Sequence, residues 1–245
     1  MGCIMKQGGG LYSRVRVGAI LLAAGEGRRM GVVPKALIEL QNVPLINRQL
    51  IALSGAGVDE VIVVTGYHHQ LVEPLVEQFP VRIVRNLTPG DGQASSIRLG
   101  LEALGPNFDA VIMALCDQPL INAADITQLI AAFKKRKSGE ILMPMVDGNR
   151  GNPIVIGGVA LAQILESDKN MVCRKFMDEH PEMVDVFQSE NQHFVMDVDS
   201  LDDLKKFEEK TGWRLQLPMA SNKANPIEAN TEPAYLALQR LVNKC

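Results

Sequence analysis

The sequence predicts a single α/β domain with a doubly wound, mostly parallel sheet and helices on both faces. Apolar runs of strand length alternate with amphipathic stretches of helix length along most of the chain. The apolar runs are continuous and rich in Val, Ile and Leu, which is typical of strands buried on both faces of a parallel sheet. The alternation of strands and helices implies right-handed crossovers. With 245 residues, 47% of them hydrophobic, the chain is long enough for one such Rossmann-like core.

The individual elements follow from this alternation. We expect strands at residues 15–23, 60–65, 81–85, 109–115, 141–145, 153–156 and 193–198. We expect helices at residues 44–55, 69–78, 94–104, 123–137, 159–166 and 201–211. Residues 1–14 are interpreted as a flexible N-terminal tail, 15–212 as the domain, and 213–245 as a C-terminal arm. The arm is expected to carry a short amphipathic helix at 233–242, with Tyr235, Leu238 and Leu241 near one face.

Composition argues against several classes of partner. The net charge of −3 gives no global basic field, so a nucleic-acid partner is not expected. A membrane association is not expected either, because no apolar run approaches the roughly 18 residues that span a bilayer. The first ten residues lack the apolar segment of a secretory signal. The cysteines are far apart and form no C-x-x-C motif, so we expect reduced thiols and a cytoplasmic location.

A glycine-punctuated loop follows the first predicted strand. Residues 20–31 read ILLAAGEGRRMG, and Pro34 and Lys35 come soon after. Glycines allow backbone N–H groups to approach a ligand closely, and the Arg28, Arg29 and Lys35 side chains add cationic donors. The loop therefore predicts a polyphosphate site. It is neither a Walker A motif nor a well-spaced dinucleotide motif, since its third glycine is one place late. The alternative interpretation is a glycine-rich turn with surface arginines.

Carboxylates follow two other predicted strands. Asp117 lies just past the strand at 109–115, and Pro119 forces the chain to turn there. Next to a polyphosphate, Asp117 requires a divalent cation, and Mg²⁺ prefers such oxygen ligands. Asp197 and Asp199 lie on one side of an extended segment, and we choose Asp199 as the second metal ligand because it is nearer the strand's end. The alternative roles are a turn or helix cap at Asp117 and a helix cap at Asp199.

Another loop leads into the helix predicted at residues 94–104. The loop and the start of this helix, residues 90–98, read GDGQASSIR. Gly92 precedes the first turn, where Ser95 and Ser96 supply hydroxyls beside free N–H groups. Such a loop is suited to hold a nucleobase edge or a ribose, and the alternative is a plain helix cap. The histidines show no zinc-site spacing, and no G-x-S-x-G string marks a serine hydrolase.

These motifs resemble the MobA-like nucleotidyltransferases, and most nearly the molybdenum cofactor cytidylyltransferase branch of that family. The strings that carry the resemblance are LAAGEGRRMG with PKAL, GDGQASSIRLGL, LCDQP, RGNPIVIGG and DVDSLDDL, in the family's order over roughly residues 17–210. The resemblance implies catalytic roles for Arg29, Lys35 and Asp117, and Mg²⁺, with Mn²⁺ as an alternative, on Asp117 and Asp199. The implied nucleotide-binding residues are Ala23, Ala24, Gly25, Gly27, Arg29, Lys35, Gly92, Ser95 and Ser96.

The acceptor side departs from the family pattern. Asn152 stands where members commonly have His, and Asn170 replaces a glycine after the lysine in the segment 167–170. Because both segments border the acceptor site in that family, the resemblance implies that Asn152, Asp168 and Lys169 lie on the acceptor side.

The resemblance implies Mg²⁺-dependent transfer of CMP from CTP to a phosphate-bearing acceptor, with release of pyrophosphate. The spelling of LAAG and LCDQP is similar to the branch that uses CTP, and molybdopterin is the implied acceptor. A molybdoenzyme or a chaperone is a candidate protein partner. The alternatives are another phosphomonoester acceptor, such as a sugar phosphate, or a nucleotide-binding oxidoreductase or regulator on the same scaffold.

Overall fold

A computed structural model of the chain describes residues 14–31, 33–168 and 170–218. Its strands, in chain order, are β1 Val17–Ala23, β2 Glu39–Leu40, β3 Val43–Pro44, β4 Glu60–Thr65, β5 Arg82–Arg85, β6 Ala110–Leu115, β7 Ile141–Val146, β8 Asn149–Arg150, β9 Ile154–Gly157, β10 Val184–Gln188 and β11 Leu215–Gln216. Its helices are α1 Leu45–Gly55, α2 His69–Val76, α3 Gln93–Leu104, α4 Ala123–Lys134, α5 Gly158–Glu166, α6 Cys173–Glu179 and α7 Leu201–Thr211.

The main sheet has the strand order β10-β7-β9-β6-β1-β4-β5, with β8 paired to β7. The pairs β6–β1, β1–β4, β4–β5 and β10–β7 are parallel, whereas β9 runs antiparallel to both of its neighbours. A small second sheet joins β11, β2 and β3. The prediction of a mostly parallel α/β sheet is confirmed, and the central strands β1, β4 and β6 end at the same edge.

Helices cover both faces of the main sheet, as predicted. Alternate residues of β1 belong to two separate cores: Leu21 packs in one with residues of α1, α2 and α4, and Leu22 packs in the other with residues of α3, α5 and α6. This period of two explains why the strand is apolar without interruption. A third, smaller core around Met30, Val198 and Phe207 attaches α7 and the small sheet to the loop that follows β1.

One predicted strand is wrong. Residues 193–198 do not extend the sheet: Gln192–Val195 form a 3-10 turn, and the irregular segment 196–199 follows. The Asn191 side chain accepts a hydrogen bond from the backbone N–H of His193 at 3.0 Å, within this turn. The side chain of Phe194 is buried in the core. The parallel edge position is taken instead by β10, which the sequence analysis missed together with α6.

The predicted ends of the domain remain predictions. The last described strand, β11, pairs with β2, so the chain stays attached to the small sheet after Gly212. The predicted N-terminal tail up to residue 13 and the predicted helix at 233–242 lie outside the described residues. In the part of the chain that the structure describes, no helix has the length and apolar character needed to cross a bilayer.

Candidate active site

A cleft of about 680 Å³ opens where β1, β4 and β6 end. Its lining comes from six separate parts of the chain: the loop after β1, the turn after β4 with α2, the start of α3, the end of β6, Arg174 of α6, and the segment before α7. Of the residues that the sequence singled out, those in the lining are Ala23, Ala24, Gly25, Gly27, Arg29, Lys35, Gly92, Ser96, Asp117 and Asp199. Ligands of open α/β sheets bind at this edge, so the location agrees with the fold.

The two glycines of the loop after β1 differ in their surroundings. Gly27 has φ +74°, and a Cβ placed there would lie 2.0 Å from the carbonyl oxygen of Val33, so only glycine fits. A Cβ on Gly25 would meet no protein atom within 4 Å, although Gly25 lines the cleft. Gly27 therefore shapes the loop, while Gly25 leaves room beside it.

Glu26 fixes the outer part of the same loop. Its backbone oxygen lies 2.8 Å from Nε2 of His68, and its carboxylate accepts a hydrogen bond from Nε of Arg28 at 2.5 Å. Arg28 is thereby paired within the loop. Arg29 instead reaches across the cleft, with Nη2 2.7 Å from Oδ2 of Asp199.

Lys35 lies between two carboxylates from distant parts of the chain. Its Nζ is 3.0 Å from Oδ2 of Asp117 and is also paired with Oδ1 of Asp199. The Lys35 side chain is only 18% exposed. Burial favours loss of its proton, but the charge and hydrogen bonding of Asp117 and Asp199 outweigh burial, so the pKa of Lys35 is raised and the side chain stays charged. The structure thus brings together the three groups that the sequence placed at separate strand ends.

The carboxylates fit a divalent cation. Oδ1 of Asp117 is buried and has no hydrogen-bond partner, and both Asp117 and Asp199 already contact one cationic nitrogen. A cation in that position takes two protein carboxylates, and Mg²⁺ usually completes such a site with phosphate oxygens and water. No cluster of three or more acidic, His or Cys side chains suited to a metal occurs among the described residues.

Asp197 also faces the cleft. The backbone N–H of Val198 donates to the carbonyl of Asp117 at 2.9 Å, and the Val198 side chain is fully buried, so its two neighbours point the other way. Burial, followed by the negative charge of Asp117, raises the pKa of Asp197. Asp199 contacts Lys35 and Arg29, whereas no ion pair joins Asp197 to a described residue. The choice of Asp199 as the metal ligand stays a prediction.

The first turn of α3 forms another wall of the cleft. Gly92, with φ +91°, and Ser96 line it, together with Gly90 and Gln93. Asn86 Nδ2 donates to both hydroxyls, at 2.8 Å to Ser95 and 2.9 Å to Ser96. Ser95 donates in turn to the carbonyl of Gly92 at 2.8 Å and lies outside the lining. Ser95 supports this wall, and Ser96, although largely buried, lines the cleft there.

Two of the predicted acceptor-side residues, Asn152 and Asp168, do not line this cleft. Asn152 precedes a cis peptide bond to Pro153, and its N–H donates to the carbonyl of Phe194 at 2.9 Å. The Asp168 carboxylate accepts a hydrogen bond from the backbone N–H of Asn170 at 2.8 Å. Lys169 lies outside the described residues. The acceptor side therefore stays a prediction.

The cleft also contains side chains that the sequence analysis did not single out, namely Tyr67, His68, Gln93 and Arg174. Their strand-end or helix-start positions at 67–68 and 93 were a usable signal, because the edge of a parallel sheet gathers such residues. No signal marked Arg174, since its helix α6 was not predicted.

Comparison with known proteins identifies the family. Residues 19–184 match the family model for the MobA-like NTP transferase domain. Nicotine blue oxidoreductase of Paenarthrobacter nicotinovorans is 28% identical over 195 residues, which are 77% of this chain and 94% of that protein. The bifunctional protein GlmU of Gluconobacter oxydans is 37% identical over 129 residues, which are 52% of this chain and only 28% of GlmU.

Solved structures share the fold over most of the chain. Rv0371c of Mycobacterium tuberculosis matches with a TM-score of 0.68 and 21% identity, over 80% of this chain and 98% of that one; it is also known as a complex with manganese. The nucleotidyl transferase Mth528 of Methanothermobacter thermautotrophicus matches with a TM-score of 0.64 and 25% identity, over 80% and 97%. A CMP:2-keto-3-deoxy-manno-octonic acid synthetase complexed with CTP matches with a TM-score of 0.63 and 14% identity, over 80% and 98%.

Proposed function

The chain belongs to the MobA-like NTP transferase family, and on that premise we propose that it transfers CMP from CTP to a phosphate-bearing acceptor and releases pyrophosphate. The observation that carries the proposal is the position of Lys35, paired with Asp117 and Asp199 beside the glycine loop. A polyphosphate on that loop is repelled by two carboxylates unless a cation lies between them. Metal-dependent nucleotidyl transfer uses this arrangement of charges, whereas binding of a nucleotide alone does not require it.

The cationic side chains of the cleft have defined roles in this reaction. An oxygen of the acceptor phosphate attacks the α-phosphorus of CTP in line, and the bond to the bridging oxygen of the β-phosphate breaks as pyrophosphate leaves. Lys35 and Arg29 stabilise the negative charge at the α-phosphorus and on the leaving group. No general base is needed, because a phosphate monoester is already ionised near pH 7, with a second pKa of about 6. Catalysis then consists of positioning and charge neutralisation.

Asp117 and Asp199 are the residues that would hold a divalent ion, Mg²⁺ or Mn²⁺, and when bound it supplies neutralising positive charge to the phosphate oxygens. The backbone around Ala23, Ala24 and Gly25 and the wall of α3 with Gly92 and Ser96 would enclose the nucleotide. Ser95 supports that wall. The preference for CTP is supported by the spelling of LAAG and LCDQP in the sequence.

Molybdopterin is the proposed acceptor, supported by the resemblance of the motifs to the molybdenum cofactor branch. The acceptor-side residues proposed are Asn152, Asp168 and Lys169, and a molybdoenzyme or chaperone would receive the product. Another phosphomonoester, such as a sugar phosphate, fits the same chemistry.

The direct test is pyrophosphate release with each of the four common NTPs, Mg²⁺ or Mn²⁺, and a set of acceptors that includes molybdopterin and sugar 1-phosphates. We expect release with CTP that requires both the divalent ion and one acceptor. Release that is fastest with GTP or UTP would overturn the choice of nucleotide. Absence of release with every combination would overturn the transferase proposal.

A second candidate function is an oxidoreductase, because the relative matched over 94% of its length is nicotine blue oxidoreductase. The spacing of the glycine loop argues against a bound dinucleotide, since the third glycine is late. Thermal shift with CTP, GTP and NADH, each with and without Mg²⁺, separates the two candidates. A metal-dependent shift with CTP supports the transferase, and a larger, metal-independent shift with NADH supports the oxidoreductase.

A further inference from the structure

The cationic side chains of the cleft are unequally committed to partners. Arg28 is paired with Glu26, Arg29 with Asp199, and Lys35 with both Asp117 and Asp199. Arg174 also lines the cleft, is exposed, and has no ion pair or hydrogen bond with any described residue. Within the described part of the cleft, its guanidinium is therefore the positive group left available for a second anion.

Helix α6 holds Arg174 in a defined place. Cys173, Phe176 and Met177 of this helix are buried in the same core as α3 and α5. The backbone N–H of Phe176 donates to the carbonyl of Val172 at 3.0 Å, which fixes the first turn. Arg174 therefore extends from an anchored backbone and does not sit on a loose loop.

The segment before α6 is tied to the nucleotide wall. Arg98 of α3 donates to the carbonyls of Leu165 at 2.6 Å, Ser167 at 3.0 Å and Asp168 at 3.4 Å. These bonds connect the end of α5 to the helix whose first turn, with Ser96, faces the cleft. Ile97 of α3 and Phe176 of α6 also share one core, so the helix of Arg174 packs with the helix whose first turn would enclose the nucleotide.

We propose that Arg174 binds the phosphate of the acceptor, a phosphomonoester dianion, in a subsite separate from that of the nucleotide triphosphate. This inference rests on the proposed function and names a residue for its second substrate. Two anions must meet near two carboxylates, so the incoming phosphate needs a cation of its own. A guanidinium suits this role, because its planar fork donates two parallel hydrogen bonds to phosphate oxygens.

Binding measurements on four proteins test the subsite: the wild type, Arg174→Ala, Arg174→Lys, and Lys175→Ala as a matched control. Lys175 is the next residue of α6 and is paired with Glu179 at 3.8 Å, so its loss removes the same charge from outside the cleft lining. The probes are flavin mononucleotide and glucose 1-phosphate, two phosphomonoesters, measured with Mg²⁺ and the α,β-methylene analogue of CTP present. The Kd of the CTP analogue is measured separately.

We expect Arg174→Ala to weaken binding of a phosphomonoester by about 10- to 100-fold, as for loss of a charged hydrogen-bonding partner. Arg174→Lys should lie between it and the wild type, and Lys175→Ala should match the wild type. The Kd of the CTP analogue should be unchanged in all four proteins. Unchanged phosphomonoester binding in Arg174→Ala, an equal loss of nucleotide binding, or no binding of either probe by the wild type overturns the proposal.

Pyrophosphate release distinguishes this inference from the proposed function. Release by the wild type with an acceptor whose KM is the same in Arg174→Ala would leave the transferase proposal standing and overturn the role of Arg174. Probe binding that depends on Arg174 in a protein that releases no pyrophosphate would leave the anion subsite standing and overturn the reaction.

Discussion

Lys35 is the residue on which the charges of the site depend. One ammonium group pairs with both Asp117 and Asp199, which are separated in sequence by three helices and four strands of the main sheet. A lysine is a point charge on a flexible stem, so it can follow a phosphate that enters the cleft. Its partners would then be free to hold a metal ion.

Replacing Lys35 or Asp117 with alanine should abolish most turnover. Removal of one preorganised charged group from a transition state typically reduces the rate by about 10²- to 10³-fold. Both side chains lie at the cleft and only partly in the core, so we expect both variants to remain folded. Pyrophosphate release and thermal unfolding measure the two effects. Lys205→Ala is the control, because Lys205 is an exposed residue of α7 whose ammonium group lies 4.0 Å from the carboxylate of Asp202. Turnover near the wild-type value in either cleft variant contradicts the assigned roles.

Gly25 and Gly27 should respond differently to alanine. At Gly27 the left-handed backbone costs about 1–2 kcal/mol for an alanine, and the new Cβ also clashes with Val33. We therefore expect Gly27→Ala to lower the free energy of unfolding. Gly25→Ala meets no protein atom, so its stability should stay near that of the wild type while its CTP affinity falls. Urea unfolding and nucleotide titration check the pair, and the interpretation fails if both variants lose only stability.

At the scale of the elements, the sequence predicted the strands and helices that position the loops after β1 and β6 but not the segment before α7. Residues 193–198 form a mostly apolar run of strand length, and the local pattern cannot show that Phe194 turns into the core. That turn depends on contacts distant in sequence: Gln118 Nε2 donates to the carbonyls of Asn152 at 3.0 Å and Phe194 at 3.1 Å. Tertiary hydrogen bonds therefore determine the backbone conformation of a segment whose sequence pattern is ambiguous.

Gln118→Leu should destabilise this junction. Gln118 is almost fully buried, and its loss leaves the Asn152 carbonyl without its donor, at about 1–3 kcal/mol, whereas the Phe194 carbonyl keeps the N–H of Asn152. We expect a lower free energy of unfolding and lower turnover, because Asp117 is the adjacent residue. Gln192→Leu is the matched control, since Gln192 makes an exposed bond to Asp147 at 2.9 Å. Equal stability of the two variants in urea would show that Gln118 does not hold the junction together.

Glu73 joins α2 to two strands and gives a pH dependence. It accepts hydrogen bonds from Arg85 Nε at 3.0 Å and Thr65 Oγ1 at 2.7 Å. The bond to Arg85 is the main reason that the pKa of Glu73 is lowered, despite the opposing effect of burial. The pair stabilises the fold above the unfolded pKa of about 4.3, and that contribution is lost as the pH falls through the folded value.

The pH dependence is checked with Glu73→Gln, which keeps the shape of the side chain. The variant should be less stable than the wild type at pH 7, and the difference should shrink as the pH is lowered below about 4. Urea unfolding across that range measures it. A stability difference that stays constant with pH would mean that the charge of Glu73 contributes nothing.

At the scale of the whole molecule, the site is assembled by the sheet. Apart from Asp199, which ends the irregular segment before α7, the predicted residues that line the cleft follow a parallel strand or begin a helix at one edge, where topology brings distant segments together. Arg174 was missed because its helix packs against the side of the cleft and follows no predicted strand. The chain pattern thus predicts residues at the strand ends of this edge better than a residue on a helix at its side.

The same assembly predicts how metal and nucleotide binding are linked. Without a divalent ion, a polyphosphate on the glycine loop faces Asp117 and Asp199 while Lys35 is held by both. Asp117→Asn removes one negative charge and, with it, one of the two ion pairs of Lys35. We therefore expect Asp117→Asn to bind CTP in EDTA on the order of tenfold more tightly than the wild type does in EDTA, even though its turnover is lost. Adding Mg²⁺ should strengthen CTP binding by the wild type far more than by the variant.

Isothermal titration in EDTA and in Mg²⁺ measures all four affinities. If wild-type CTP affinity is the same in both buffers, the two carboxylates do not oppose the nucleotide, and the assignment of a metal between them is wrong.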